Sequence, residues 1–304
     1  MRNASQLFFV HCLSPVHVGA GQGIGVIDMP IIRERITEWP YIPGSTSKGV
    51  HREYFRRNGE EEWLKAAFGT RNEAGQGNEE EGNAGALVFS DAKMLAFPVA
   101  SFFGVFAYVT CPLALKRLQQ DCTAVGLPTP DIAGLDLLAE GEAWIADISK
   151  AVVVDSYDAG SQTVTLDEFE FHAVPHEQVT RFAEWVGASL GSQQDMAERL
   201  KQRLVIISDD AFQYFTTMCC EIVPRIRIDD NLKTTVNGAL WQEEYIPAEA
   251  ILYGTLWSDY IYRNNSKLTP QSLLDQLQRE RTLQVGGNAS VGKGLVTYYT
   301  GGRA

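Results

Sequence analysis

Residues 17–52 read HVGAGQGIGVIDMPIIRERITEWPYIPGSTSKGVHR, and the fold turns on how this stretch is punctuated. Gly19, Gly21, Gly23 and Gly25 make a glycine-dense loop whose backbone can reach conformations closed to other residues. Val26-Ile27 and Met29 to Ile32 then flank a single acid, Asp28. The segment Trp39-Pro40-Tyr41-Ile42-Pro43-Gly44 cannot be helical, because each proline restricts itself and the residue before it. Ser45 reads as an N-cap and Ser47 to Arg57 as the helix it starts.

Working outward, Gln6 to Leu13 (QLFFVHCL) has the length and composition of a strand and stops at Ser14-Pro15. Downstream, Glu61 to Phe68 reads as a short helix. Thr70 to Gly85 reads as a mobile surface loop, Ala86 to Phe89 and Val105 to Thr110 as strands, and Pro112 to Gln120 as a helix opening. The middle, about 122–178, is expected to hold inserted structure. Helices follow at Glu177 to Leu190 and Met196 to Leu204, then a short strand at Val205 to Ile207 and another helix through Phe215. Ile222 to Trp257 reads as a β-hairpin with a long arm. The chain closes with a helix at Pro270 to Arg279 and strands at Thr282 to Val285 and Leu295 to Tyr299, joined by a glycine-rich turn. Strands and helices interleave with long connections, which predicts an α+β domain with insertions.

The 304 residues are 45% hydrophobic and 21% charged, ordinary for a globular chain able to bury a sizeable core. No apolar run reaches the roughly 18 residues that span a bilayer, and Met1 to Val16 lacks a basic n-region, so a cytoplasmic location is expected. The five cysteines are odd in number and form no C-x-x-C pair, which disfavours disulfide frameworks and Cys-rich zinc sites. They read as small buried apolar side chains. The formal charge of −12 is opposite to that of a chain binding nucleic acid alone. Basic residues nevertheless concentrate at Arg33, Arg35, Lys48, Arg52, Arg56 and Arg57, while Glu60 to Glu62 and Glu79 to Glu81 make separate acidic runs.

Three groups carry possible chemistry. Gly287-Asn288-Ala289-Ser290-Val291-Gly292-Lys293-Gly294 nearly matches a phosphate-cradling loop, but Gly294 replaces the magnesium-binding hydroxyl and only ten residues follow. The turn reads either as an RNA-backbone contact through Gly287, Ser290 and Lys293 or as a plain glycine turn. At the helix entry, Ser45 and Ser47 stand beside free amides, and Lys48, Arg52 and Arg56 recur every four residues along one face. Phosphate binding and a solvated basic stripe both fit that pattern. Asp28 lies among glycines and small apolar residues with His17 nearby in sequence. The pair suits metal binding and proton transfer, or equally a turn-capping acid and a core histidine.

Taken in order, His17-Val18-Gly19-x-Gly21, Val26-Ile27-Asp28-Met29-Pro30-Ile31-x-Arg33-Glu34, Tyr41-Ile42-Pro43-Gly44-Ser45-x-x-Lys48-Gly49-x-x-Arg52 and Gly286-Gly287-x-x-Ser290-x-Gly292-x-Gly294 resemble the RAMP superfamily of CRISPR proteins. Within it the chain resembles backbone subunits of type III-B effector complexes, and Gly238-Ala239-Leu240-Trp241-x-Glu243-Glu244-x-Ile246-Pro247 fits as well. The resemblance covers both ends and not the middle. It implies one RAMP domain over 1–304: an RRM-like (ferredoxin-like) palm from both chain ends, with insertions, and a β-hairpin thumb at about 222–247. It implies guide RNA, target RNA, further copies of the chain in a helical stack, and other subunits of the complex as partners, with no membrane. It also implies cleavage of target RNA at regular intervals, dependent on a divalent cation such as Mg or Mn held at Asp28. Carried onto this chain, Asp28 is the essential carboxylate, with His17 and Glu244, or alternatively Glu243, contributing. Lys48, Arg52, Ser45, Ser47 and the turn at Gly287, Ser290 and Lys293 contact guide, and Arg225, Arg227, Asn231 and Lys233 lie on the thumb. The alternatives are a non-catalytic structural subunit, or a metal-independent guide-processing nuclease using His17 or His51.

Overall fold

In the computed structural model, β1 (Ala4–Cys12) is buried at every position except Ser5, the mark of a strand covered on both faces. Its side chains alternate between two cores. Phe8, Val10 and Cys12 enter one, and Leu7 and Phe9 enter the other. The structure describes residues 4–21, 25–70, 83–129, 132, 134, 137–147, 149, 151–155, 161–191, 194–229, 231, 233–261 and 267–301. Gly23 and most of the loop expected at 70–85 lie outside the described residues.

β1 pairs antiparallel with β12 (Ile251–Ser258) on one side and β14 (Leu295–Thr300) on the other. β12 in turn pairs with β3 (Lys93–Ser101) and, at its far end, with β2 (Leu87–Phe89), while β13 (Arg281–Gln284) flanks β14. The order is β13-β14-β1-β12-β3. Helix α1 (Gly44–Asn58) follows β1, and α7 (Pro270–Asp275) follows β12. Phe55 of α1 and Leu273 and Leu274 of α7 enter the same core as Phe8. α2 (Glu61–Phe68) closes that core with Trp63, whose ring lies 4.5 Å from that of Phe55.

Beyond β3 the sheet continues through β4 (Val105–Thr110), β9 (Leu204–Ile206), β5 (Glu142–Ile145), β8 (Phe169–Pro175), β7 (Gln162–Leu166) and β6 (Val154–Asp155). A pairing of Leu166 with Ser101 brings β7 back onto β3. Residues 142–175, expected as inserted structure, therefore supply four strands to the sheet that begins at the chain ends. α3 (Pro112–Val125), α4 (Glu177–Ser189) and α5 (Gln194–Arg203) cover the second core through Leu115, Leu118, Phe182, Val186 and Leu200. α6 (Asp209–Met218) is capped by Ser208 and packs Phe212 edge-on against Trp39 at 4.8 Å.

Two expectations change. β3 was not among the expected strands; Pro98 at its middle is a residue that disfavours a central strand, yet it pairs with Tyr108 in the β3–β4 ladder. Ser45 is not the N-cap of α1. Pro43 holds that position without a side-chain cap, and the Gly44 amide donates instead to Asp91 Oδ1 at 2.8 Å. A Cβ on Gly44 would lie 2.2 Å from the Phe89 carbonyl oxygen, so the helix entry needs glycine there. No helix is long and apolar enough to cross a membrane among the described residues.

The sheet and α5 are joined at Glu249, whose carboxylate accepts from His11 Nε2 at 3.0 Å and Tyr108 Oη at 2.5 Å and faces Arg199 at 3.4 Å. Burial pushes this carboxyl up, but the hydrogen bonds from His11 and Tyr108, helped by Arg199, bring it down to about 2. A depressed carboxylate stabilises above its unfolded value of about 4.5 and loses that contribution as pH falls toward its folded value. Thermal unfolding should therefore show Tm falling between about pH 4.5 and about pH 2. Glu249→Gln should flatten that slope, and an identical slope would remove Glu249 from the account.

Candidate active site and nucleic-acid interface

β10 (Glu221–Ile228) and β11 (Thr235–Tyr245) form a separate two-stranded hairpin, with Arg225 opposite Trp241 and Glu221 opposite Tyr245. The arm expected to run to Trp257 ends at Tyr245, because β12 turns away into the large sheet. At the hairpin's base the chain carries Glu243 and Glu244, only 3% and 4% exposed. Buried carboxylates demand partners, and those partners come from two distant segments.

The first is the loop of residues 25–33. Met29 runs beside Glu243 as a short parallel bridge, its amide donating to the Gln242 carbonyl at 3.0 Å and its carbonyl accepting from the Glu244 amide at 3.0 Å. Glu244 accepts from the Ile31 amide at 2.9 Å through one oxygen and from Arg33 at 2.5 Å through the other. Arg33 also donates to the carbonyls of Glu38 and Thr216. Both Glu244 oxygens are thus spent on holding the loop, and the expected catalytic part for Glu244 becomes a structural one. Asp28, by contrast, is exposed. One of its oxygens accepts from the Gln242 amide at 2.8 Å, which fixes the carboxylate, and the other is unengaged among the described residues.

His17 is 6% exposed and sits between the loop and the hairpin, its Nδ1 hydrogen-bonded to the Glu244 carbonyl at 2.7 Å. A carbonyl only accepts, so Nδ1 carries the proton and Nε2 is the basic nitrogen. The attachment points of Asp28 and His17, Gln242 and Glu244, are two residues apart on β11, about 7 Å of strand. His51, the other histidine considered, is fully buried between Phe89 and Tyr298. Burial depresses its pKa to about 4, and it serves the core.

The second segment is the glycine turn at 286–294. The Gly287 amide donates to the His17 carbonyl at 2.9 Å, and the Gly294 amide to the Pro15 carbonyl at 2.8 Å. Gly286, at φ +76, has no room for a Cβ, which would lie 2.1 Å from the His17 oxygen. The Gly287 amide is therefore occupied, which corrects its expected part as a phosphate donor. Ser290 is exposed, and Lys293 Nζ stands 4.8 Å from the Tyr245 ring. Glu243 accepts from Tyr245 Oη, from Trp241 Nε1 at 2.8 Å and from Asn288 Nδ2 at 2.9 Å, with Arg225 at 3.6 Å. Burial pushes its carboxyl up, but the hydrogen bonds from Tyr245 and Trp241, with Arg225 and His17, more than offset that and hold it below the ordinary glutamate range. The Tyr245 phenol is pushed up to about 12 by burial and by its bond to Glu243. Tyr245, Trp241 and Asn288 escaped the sequence reading. The signal for Asn288 was its place between glycines in a turn, since asparagine tolerates positive φ.

The helix entry divides differently from expectation. Ser45 is exposed with its hydroxyl unengaged among the described residues, but Ser47 is fully buried and bonded to Tyr298 Oη at 2.9 Å, so it cannot reach RNA. The buried face of α1 is Gly44, Ser47, His51 and Phe55, and the basic positions lie one residue around from it. Lys48 is half-buried and donates to the Leu87 carbonyl at 2.8 Å. Burial, then repulsion from Arg52, lowers its pKa. Arg52 has no carboxylate partner among the described residues, whereas Arg56 and Arg57 both pair with Glu53. The stripe shortens to Lys48 and Arg52. On the hairpin, Arg227, Asn231 and Lys233 are exposed, and Arg225 is half-buried against Glu243.

No three His, Cys, Asp or Glu side chains converge to hold a metal ion among the described residues. Asp28 alone is a donor suited only to an ion shared with phosphate oxygens and water, the usual habit of Mg²⁺. Removing Glu244 leaves Arg33 without a counter-charge in a largely buried setting, which costs on the order of 3 kcal/mol. Glu244→Ala should therefore lower Tm clearly in thermal unfolding, whereas Asp28→Ala, at an exposed position, should leave it nearly unchanged. An unaltered Tm for Glu244→Ala would return that residue to the catalytic set.

A family model described as the RAMP superfamily matches residues 9–297. The chain is 33% identical over 291 residues to the CRISPR system Cmr endoribonuclease Cmr4 of Pyrococcus furiosus, covering 94% of this chain and 92% of that one. The crystal structure of oligomeric Cmr4 from the same organism superposes with a TM-score of 0.70 at 28% identity, over 99% of this chain and 100% of that chain. A chain in the cryo-EM structure of the type III-B Cmr-beta bound to cognate target RNA also superposes with a TM-score of 0.70, over 98% of each; at 22% identity that likeness is one of fold. The hairpin base, its clamped loop and the glycine turn thus stand in a chain that belongs to the RAMP superfamily and, within it, to the Cmr4 family.

Proposed function

We propose that this chain is a guide-RNA-binding backbone subunit of a type III-B CRISPR effector complex and that it cuts the target RNA bound to that guide. The observation that carries the reading is the exposed Asp28 carboxylate. It has one oxygen anchored and one open, on a loop clamped at the base of a hairpin beside an oriented His17. An exposed acid held this firmly has no packing duty, and rigid placement is what catalysis on a flexible polymer requires.

The strand order β14-β1-β12-β3, with α1 and α7 as the two connecting helices, supports reading this part as a ferredoxin-like, RRM-like palm. The β10–β11 hairpin is the thumb. Guide phosphates would lie along Ser45, Lys48 and Arg52 at the entry of α1 and along Ser290 and Lys293 of the glycine turn. The thumb carries Arg225 at its base and Arg227, Asn231 and Lys233 toward its tip, and would splay one nucleotide of the guide–target duplex. Copies of the chain stacked along the guide would repeat this at regular intervals, in keeping with the oligomeric relative.

At a splayed nucleotide the 2′-oxygen would attack the adjacent phosphorus, the bond to the 5′-oxygen would break with that oxygen taking a proton from solvent water, and a 2′,3′-cyclic phosphate and a 5′-hydroxyl would result. In this reading His17 Nε2 would take the proton of the 2′-hydroxyl, and Asp28, through its open oxygen, would either orient that hydroxyl or bind a divalent ion. A divalent cation, Mg²⁺ or Mn²⁺, would be held by Asp28 together with RNA phosphate oxygens and would neutralise charge developing on the phosphate. Glu243 and Tyr245 keep the hairpin base in register with His17.

In the assembled complex with labelled target, the parent protein should give regularly spaced products that EDTA suppresses. Asp28→Ala should abolish them while guide retention and target affinity stay unchanged. If that variant cuts at the parental rate, the assignment of Asp28 is wrong. Replacing Lys48 and Arg52 together by alanine should weaken guide binding uniformly across sequences. It should also reduce the slope of log affinity against log salt by about one unit for each phosphate no longer neutralised. An unchanged slope would place the guide elsewhere.

A further inference from the structure

Asn288 ties the glycine turn to the base of the hairpin through its side chain. It sits in the left-handed region, φ 62 and ψ 26, immediately after Gly286-Gly287. Its main-chain carbonyl accepts from the amides of Val291 and Lys293 at 3.1 and 3.3 Å, so its backbone frames the turn. Its side chain points the other way. Nδ2 donates to Glu243 Oε2 at 2.9 Å and to Tyr245 Oη at 2.9 Å. The amide orientation follows from the chemistry, since an ionised carboxylate only accepts and Oδ1 in that place would oppose it. Tyr245 Oη donates to the same Glu243 oxygen, so the three groups close a ring of hydrogen bonds.

That ring is the hydrogen-bonded side-chain link from the turn to the hairpin base among the described residues, beside the Lys293 ammonium over the Tyr245 ring, and it lies near the proposed reacting groups. The Gly287 amide holds the His17 carbonyl, and the His17 and Tyr245 rings meet edge-on at 5.6 Å. His17 Nδ1 is fixed by Glu244, the residue next to Glu243. A displacement of the turn would thus move His17 through its backbone and Tyr245 through Asn288 together.

We propose that Asn288 is a positioning residue which joins the glycine turn to the hairpin base, so that guide seated on the turn sets the alignment of His17 and Asp28 for cutting. The proposal rests on the reading of this chain as the cutting subunit. Asn288 touches no reacting atom and acts through Glu243 and Tyr245. The charged and titratable groups facing Glu243 are Tyr245 on its own strand, Arg225 on β10, His17 on the loop and, across the Tyr245 ring, Lys293 on the turn.

The test uses the assembled complex and two variants that keep the left-handed backbone. Asn288→Gly deletes both hydrogen bonds without backbone strain, and Asn288→Asp keeps the size but sets a second carboxylate against Glu243. Single-turnover cleavage by Asn288→Gly should fall by about 10²-fold, the effect of misplacing reacting groups by roughly 1 Å, with guide retention and target affinity within about twofold of the parent's. For Asn288→Asp the acid limb of the rate–pH profile should move to higher pH, because a second negative charge beside the reacting groups favours their protonated forms. A residue that merely supported folding would lower the assembled fraction without moving that limb. Parental rates and pH profiles in both variants would overturn the proposal, as would loss of guide in proportion to loss of cutting. Asp28→Ala run beside them separates the two levels: a dead Asp28→Ala with normal Asn288 variants sinks only this inference, whereas a normal Asp28→Ala sinks the cutting assignment beneath it.

Discussion

The contact on which the site depends is the ion pair of Arg33 with Glu244, 2.5 Å apart and largely withdrawn from solvent. Taking two charges out of water is expensive, and the attraction repays it only when the remaining donors and acceptors are satisfied. Here they are. Glu244 takes the Ile31 amide with its second oxygen, and Arg33 spreads its other donors over the Thr216 and Glu38 carbonyls. The cost is met by fastening three segments distant in sequence: the loop before α1, the end of α6 and the base of the hairpin. An apolar replacement of equal volume would pack, but it would not specify the direction in which the Asp28 loop leaves.

That fastening separates two neighbouring acids by their surroundings. Glu243 and Glu244 point to opposite sides of β11, as successive strand residues must. One meets the loop and the other meets the turn, and both are fully occupied by partners. Asp28, by contrast, keeps one oxygen open among the described residues. Its exposure follows from the clamp, because a loop held by its backbone and by Arg33 need not bury its own side chains. Val26, two residues earlier, is 92% exposed for the same reason. The rigid part of the site is thus hairpin and clamp, and the chemically open part is one short, well-held stretch.

Local pattern made much of this legible. The strand at Gln6 to Leu13, the proline stop before α1, the helices at 61–68 and 177–190 and the closing turn all stand close to where periodicity and breakers place them. What escaped depends on contacts between remote residues. The cap of α1 comes from Asp91, which nothing near Gly44 announces. Ser47 looked like a surface hydroxyl until Tyr298 covered it. β3, with Pro98 at its middle, was not read as a strand, and the difference between Glu243 and Glu244 lay in which segment each one meets. Adjacent identical side chains carry no local signal of that kind, so the choice left open between them could be made only in three dimensions.

The net charge of −12 ceases to conflict with RNA binding once the cations are sorted by their partners. Arg56 and Arg57 share Glu53, Lys65 pairs with Glu61, Arg117 with Glu34, Arg181 with Glu177, and Lys201 with Glu198 and Glu184. These pairs are screened locally and offer little field to a distant phosphate. Arg52 at the helix entry and Arg227 and Lys233 on the hairpin have no carboxylate partner among the described residues, and Lys293 faces only the Tyr245 ring. Most of these pairs lie away from the glycine turn and the tip of the hairpin, and Arg52, Arg227, Lys233 and Lys293 keep no carboxylate partner among the described residues. What a phosphate meets is the charge near its path, not the sum over the chain, and Arg52, Arg227, Lys233 and Lys293 stand along the path proposed for the RNA.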